Sequence, residues 1–119
     1  MAASYSINFT VTVPPIALYS IRVAQNTTDP VVWAFIDTNG CPVILTGKSL
    51  SLTAYLDTGA TQVTQFSHTT STGLAITQNE VTWTPQSMDT QVAQILKYLL
   101  VNTTDGQELA WGSLSVFPA

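Results

Sequence analysis

Apolar and polar residues alternate from the first strand onward. Tyr5, Ile7, Phe9, Val11 and Val13 are interleaved with Ser6, Asn8, Thr10 and Thr12, which predicts a strand with one buried face. Pro14-Pro15 stops it, because neither residue can donate to a ladder. Leu18 to Val23 predicts a second strand, and Asn26 to Pro30 a turn. Val31 to Ile36 is apolar on both sides: Val31, Trp33 and Phe35 on one, Val32, Ala34 and Ile36 on the other. After the turn Asp37-Thr38-Asn39-Gly40, Leu50, Leu52 and Ala54 alternate with Ser51, Thr53 and Tyr55. Asn39-Gly40 favours a hairpin geometry with positive φ.

The second half is more polar. Asp57-Thr58-Gly59 turns the chain, Thr61 to Phe66 predicts a strand, and Ser67 to Gly73 reads as a polar loop. Leu74 and Ile76 precede a turn at Gln78-Asn79, and Val81 and Trp83 mark the next strand. From Gln86 to Val101 a helical stripe (Met88, Val92, Ile95, Leu96, Leu99) competes with a two-sided strand. The Asp105-Gly106 turn favours a hairpin. We therefore place a helical turn near Ser87 to Ala93, a strand over Ile95 to Asn102, and a closing strand from Leu109 to Val116.

Seven or eight short strands with turns between them predict an all-β sandwich, since each half-apolar strand must bury one face against a second sheet. The 119 residues fit one such domain. Residues 1–17 are expected to form an N-terminal strand or arm and 18–119 the sandwich. Trp33, Trp83, Trp111, Tyr98 and Phe35 are the expected bulky core, each contributing on the order of 3 kcal/mol by burial.

Charge narrows the partners. Charged residues make up 8% of the chain and the net charge is -4, so the polar surface consists mainly of Thr, Ser, Gln and Asn. The cations are Arg22, Lys48 and Lys97, too few and scattered to hold a phosphate backbone or an anionic membrane. A surface of this kind suits neutral partners, protein or sugar. No signal peptide and no apolar run of membrane-spanning length is evident. Cys41 has no partner for an intrachain disulfide.

The chemistry-bearing residues do not assemble into a motif. His68 lies among hydroxyls with no local carboxylate or oxyanion hole, so it reads as a solvated loop residue. One His and one Cys exclude the usual zinc sets. Asp37, Asn39, Asp57 and Asp105 lack EF-hand spacing and read as turn residues. Asp57-Thr58-Gly59 matches the aspartic protease triplet, but only once. Asn8-Phe9-Thr10, Asn26-Thr27-Thr28 and Asn102-Thr103-Thr104 match glycosylation sequons that a Thr-rich chain produces by chance. No enzyme activity, cofactor or metal is expected.

Asp37-Thr38-Asn39-Gly40-Cys41-Pro42-Val43-Ile44-Leu45-Thr46-Gly47 is followed by an alternating strand. Further on come Gly73, Thr90 in the helical turn, Tyr98 and Leu100 ahead of Asp105-Gly106, and Gly112 with Val116. This order resembles the immunoglobulin-like N-terminal domain of bacteriophage upper baseplate proteins, a module also seen in tail, neck and head-fibre proteins. The resemblance runs from about Val23 to Val116. It implies an immunoglobulin-like antiparallel β-sandwich with one short helical turn and, here, an extra N-terminal strand. It also implies a structural component of a phage virion that contacts other virion proteins and copies of itself.

The two-sided strands agree with this. Val32 and Ile36 oppose Trp33 and Phe35, and Leu99 and Val101 oppose Tyr98 and Leu100, which leaves a second apolar face to be covered, either by the chain's own N-terminal segment, ends and loops or by a neighbouring subunit. The candidate assembly contacts are therefore Tyr5, Ile7, Phe9, Val11, Val13, Val32, Ile36, Leu99 and Val101. The N-terminal strand can either fold onto its own sheet or add to an edge on a neighbour. A second reading is a carbohydrate-binding module that contacts a surface glycan through Tyr19, Tyr55 and Trp83.

Overall fold

A computed structural model of the chain describes residues 7–13, 19–27, 29–57, 59, 61–70 and 73–118. Among these residues it forms two packed sheets. The four-stranded sheet has the order β1-β3-β7-β6: β1 is Ile7–Thr12, β3 Val31–Ile36, β7 Glu80–Trp83 and β6 Leu74–Thr77. The five-stranded sheet has the order β2-β9-β8-β4-β5: β2 is Ile21–Ala24, β9 Gln107–Phe117, β8 Gln94–Asn102, β4 Leu50–Asp57 and β5 Gln62–Thr69. A single 3-10 turn, Ser87–Thr90, links β7 to β8. Hairpin-paired strands split between two sheets in this order give the immunoglobulin-like sandwich. It is not antiparallel throughout, because β1 runs parallel to β3 and β2 parallel to β9.

Alternation builds the core. Val31, Trp33 and Phe35 of β3 and Val81 and Trp83 of β7 face Leu52 and Ala54 of β4 and Leu96, Tyr98 and Leu100 of β8, all buried. Three ring pairs bridge the layers. Phe9 meets Tyr19 edge-on with centroids 5.9 Å apart. Trp33 meets Tyr98 at 5.9 Å. Phe66 stacks on Trp83 at 5.3 Å.

The N-terminal strand belongs to its own chain. Ile7 to Thr12 pairs in register with Val31 to Ile36, and the Val13 amide continues to the Ile36 carbonyl at 2.8 Å. Residues 7–13 are therefore part of the sandwich, and β1 is its edge strand. Tyr5 and Pro14-Pro15 lie outside the described residues.

Three expectations are corrected. Ser67 to Thr69 is strand, not loop: beyond a bulge that skips Gln65, the β4–β5 pairing runs on through Thr69, and Phe66 and His68, two apart, face inward together. Trp111 is half-buried and faces outward with Ser113 and Ser115, because Leu109 and Ala110 are buried consecutively at a register shift between β8 and β9. In the turn after β3 only Gly40 has positive φ, at 82°. Asp37 holds this turn by accepting the Asn39 and Cys41 amides at 2.8 and 2.9 Å. Leu45 is buried, as its place in the motif implies.

Candidate contact faces

The sandwich has two outer faces, and the candidate residues are distributed unevenly over them. On β1, Val11 and Val13 are buried in the chain's own core, and Ile7 and Phe9 pack against it. The apolar side of β1 is thus turned toward the chain's own core, where Val11 and Val13 are core positions and Ile7 and Phe9 are half-buried against it. What β1 presents outward is Asn8 and Thr10. Val32 and Ile36 are half-buried on the outer side of the four-stranded sheet, and Leu99 and Val101 on the outer side of the five-stranded sheet. The two pairs therefore lie on opposite sides of the molecule and do not form one patch.

The five-stranded face is the more apolar. Along β8, Ile95, Lys97, Leu99 and Val101 point outward, and Ile95 is 69% exposed. Beside them on β9 are Trp111, Ser113, Ser115 and Phe117, with Leu99 opposite Trp111 and Lys97 opposite Ser113. Arg22 on β2 lies over the Phe117 ring, 5.0 Å from its centre. A shallow depression of about 340 Å³ opens in the middle of this face. Tyr55, Lys97, Trp111, Ser20 and Ser113 surround it, with Tyr98 and Gly112 at its floor. The Ser113 hydroxyl donates to that of Ser20 at 3.2 Å.

The floor of the depression is held from below. The Tyr19 amide donates to the Trp111 carbonyl at 2.9 Å, and the Tyr98 hydroxyl donates to the Tyr19 carbonyl at 2.6 Å. Gly112 allows this approach: a β-carbon there would stand 2.1 Å from the Tyr19 oxygen. Burial pushes the Tyr98 hydroxyl up to about 12, against a smaller lowering effect of the Trp33 indole.

The four-stranded face is flatter. Asn8, Val32, Thr82 and Ala75 form one row across it, and Thr10, Ala34, Glu80 and Thr77 the next. Val32, Ala34 and Ile36 make an apolar stripe along β3, and Glu80 stands exposed beside it on β7.

His68 is a buried structural residue, contrary to the expected solvated loop. It is 7% exposed, and its Nε2 lies 2.7 Å from Oδ2 of Asp89, itself 6% exposed. The same carboxylate oxygen accepts the Gln86 amide at 3.0 Å. The pair ties the edge strand β5 to the 3-10 turn. The sequence concealed it because the two residues are 21 positions apart. Of the calcium candidates, Asp37 holds its own turn, and Asp105 pairs with Lys48 at 3.1 Å and accepts from Asn102 at 2.9 Å. Thr58 of the protease-like triplet lies outside the described residues. Among the described residues no group of three or more His, Cys, Asp or Glu could hold a metal ion. Among the described residues no helix is long and apolar enough to cross a membrane.

Of the sugar-platform candidates, Trp83 is fully buried and Tyr19 is half-buried against the core. Tyr55 stays at the surface, and the aromatic beside it is Trp111, which the sequence reading assigned to the core.

No family model matches the sequence, and no curated protein matches it. Among solved structures the chain is similar to the N-terminal domain of phage TP901-1 ORF48, with a TM-score of 0.58 and 9% identity. The match covers 95% of this chain and 99% of that one. At this identity the likeness is one of fold: the chain, like that phage domain, is an all-β sandwich.

Proposed function

We propose that the chain is a structural component of a phage or phage-like particle, an adaptor, neck, baseplate or head-fibre anchoring protein that works through subunit contacts without turnover. The observation that carries this reading is the fold match, which spans nearly the whole of both chains. The surface is consistent with it. Both outer faces carry half-buried aliphatic residues, and the chain has only 3 Lys and Arg and 7 Asp and Glu to keep such faces apart. Its partners in this reading are other virion proteins and further copies of itself.

The reading is tested by immunoblotting particles purified from the source culture on a density gradient. The chain is expected to band with the particles at a fixed ratio to their other proteins. A chain found only in the soluble fractions overturns a virion role.

A second reading is favoured by the depression on the five-stranded face. Tyr55 and Trp111 at its rim, with the hydroxyls of Ser20 and Ser113, resemble a small sugar platform. Glycan-array binding that Trp111→Ala abolishes would support it. An array without signal removes it.

A further inference from the structure

We infer that Asn39 is a site of spontaneous deamidation, and that the Asp37 carboxylate sets its rate by holding the turn after β3 closed. This goes beyond the particle reading and does not depend on it.

The chemistry is a ring closure between neighbours. The backbone nitrogen of the residue after an asparagine attacks the side-chain carbonyl carbon. A new C–N bond closes a succinimide, and the side-chain nitrogen leaves as ammonia, taking the backbone proton with it. Water then opens the ring at either carbonyl. One opening gives aspartate. The other gives isoaspartate, in which the backbone runs through the former side chain and is one carbon longer. Glycine after the asparagine favours the attack, because it has no β-carbon to shield its nitrogen.

Three observations place the reaction at Asn39. First, of the five asparagines only Asn39 precedes a glycine. Asn26 and Asn102 precede the β-branched Thr27 and Thr103, Asn8 precedes Phe9, and Asn79 precedes Glu80. Second, the side chains are held differently. Asn102 is buried and donates to Asp105 at 2.9 Å, and Asn79 donates to the Phe35 carbonyl at 3.1 Å. Among the described residues no hydrogen bond holds the Asn39 side chain, and Asn39 and Gly40 are both exposed. Third, the bonds that close the turn oppose the attack. The Gly40 amide donates to the Asp37 carbonyl at 3.0 Å. The Asp37 carboxylate accepts the Asn39 and Cys41 amides at 2.8 and 2.9 Å. Attack by the Gly40 nitrogen therefore waits on a local opening of this turn, which the carboxylate resists.

The product differs from the native turn. Isoaspartate lengthens it by one carbon and sets a second carboxylate two residues from Asp37. The pairing just beyond it is then strained. It consists of the bridge between Ile36 and Pro42 and the Val43 amide on the Phe35 carbonyl at 3.0 Å.

The test is incubation of the folded chain at mildly alkaline pH, read by fragmentation mass spectrometry and by labelling with isoaspartyl methyltransferase. Asn39 is expected to convert while the other four asparagines stay intact. Asp37→Ala is expected to convert at Asn39 roughly tenfold faster, because the turn opens more readily without its charged acceptor. Thermal melts above the incubation temperature would show that the variant remains folded. Asp37→Ser keeps a weaker acceptor and should fall between the two, and it carries the comparison if Asp37→Ala does not fold.

Three outcomes overturn the inference. One is an intact Asn39 in the folded chain under conditions that convert it in the guanidinium-unfolded chain. Another is conversion spread evenly over the asparagines. The third is a folded Asp37 variant that matches the native rate.

Discussion

The Tyr98 hydroxyl donates to the Tyr19 carbonyl across 2.6 Å, a side chain of β8 holding backbone that leads into β2. The Tyr19 amide is fixed in turn by Trp111 on β9. Three segments thus meet at one peptide beneath the five-stranded face. Tyr98→Phe keeps the ring and leaves that carbonyl without its donor, so unfolding in denaturant should show a loss of about 1–3 kcal/mol.

The same hydroxyl sets an alkaline limit. Its pKa is raised from 10.0 to about 12 in the folded chain, so the native state holds its proton more tightly than the unfolded chain does. The stabilisation is complete below pH 10 and is lost as pH rises through 12. The total is roughly 2–3 kcal/mol for a shift of this size. A denaturation midpoint that falls over this window in the native chain, and less steeply in Tyr98→Phe, would bear this out. Parallel curves would refute it.

Gly112→Ala is expected to be costlier than its single methyl suggests. The new carbon would stand 2.1 Å from backbone oxygen, so the Tyr19 segment must move and lose both of its hydrogen bonds. Overpacking of this kind costs about 1–3 kcal/mol. Amide exchange at Tyr19 and Ile21 should accelerate more than exchange at β3.

Asp89→Ala removes the partner of His68 and the acceptor of the Gln86 amide together. The expected loss is about 2 kcal/mol or more, because two buried polar groups are left unmade. The loosening should be local, with faster hydrogen exchange in β5 and in Ser87–Thr90. Uniform acceleration across both sheets would show that the pair has no regional role.

Asp105 offers an acid-side counterpart at the surface. Hydrogen bonds from Lys48 and Asn102 hold its carboxyl below the usual range. Their contribution is present above the ordinary carboxylate pKa and is lost as pH falls through the lowered value. A carbon-detected titration should place Asp105 below the ordinary aspartate value of 3.8, and Lys48→Ala should raise it.

Much of the fold was legible because alternation is a strong signal where one face is dry. Ile7 to Val13, Val31 to Ile36 and Leu50 to Tyr55 read directly as strands, and the Asp105-Gly106 turn separated β8 from a competing helical stripe. The signal failed at bulges. Along β5 a bulge at Gln65 breaks the alternation, and beyond it His68 is the one inward residue between the polar Ser67 and Thr69, so the end of the strand read as a polar loop. At Leu109 and Ala110 a second irregularity sent Trp111 outward. Strand partners were also not legible. The parity of β1 shows which side is apolar but not that β3 of the same chain receives it, and this is why its apolar residues read equally well as contacts. The candidates on β3 and β8 could be named one by one, but only the assignment of those strands to different sheets places them on opposite sides.

The two parallel pairings have a consequence for the order of folding. Ser20 and Ser113, bonded beside the β2–β9 pair, are 93 positions apart. Hairpins such as β6–β7 and β8–β9 close short loops and can form early. β2 has no strand to join until β9 has been made and seated, since closing so long a loop costs entropy that only later contacts recover. A ribosome-bound chain ending before Gln107 would therefore lack a docking edge for β2, and the Tyr19 amide, whose acceptor is the Trp111 carbonyl of β9, would stay open to water until that strand arrived. Pulse-labelled exchange during refolding should find the β2 amides among the last to be protected.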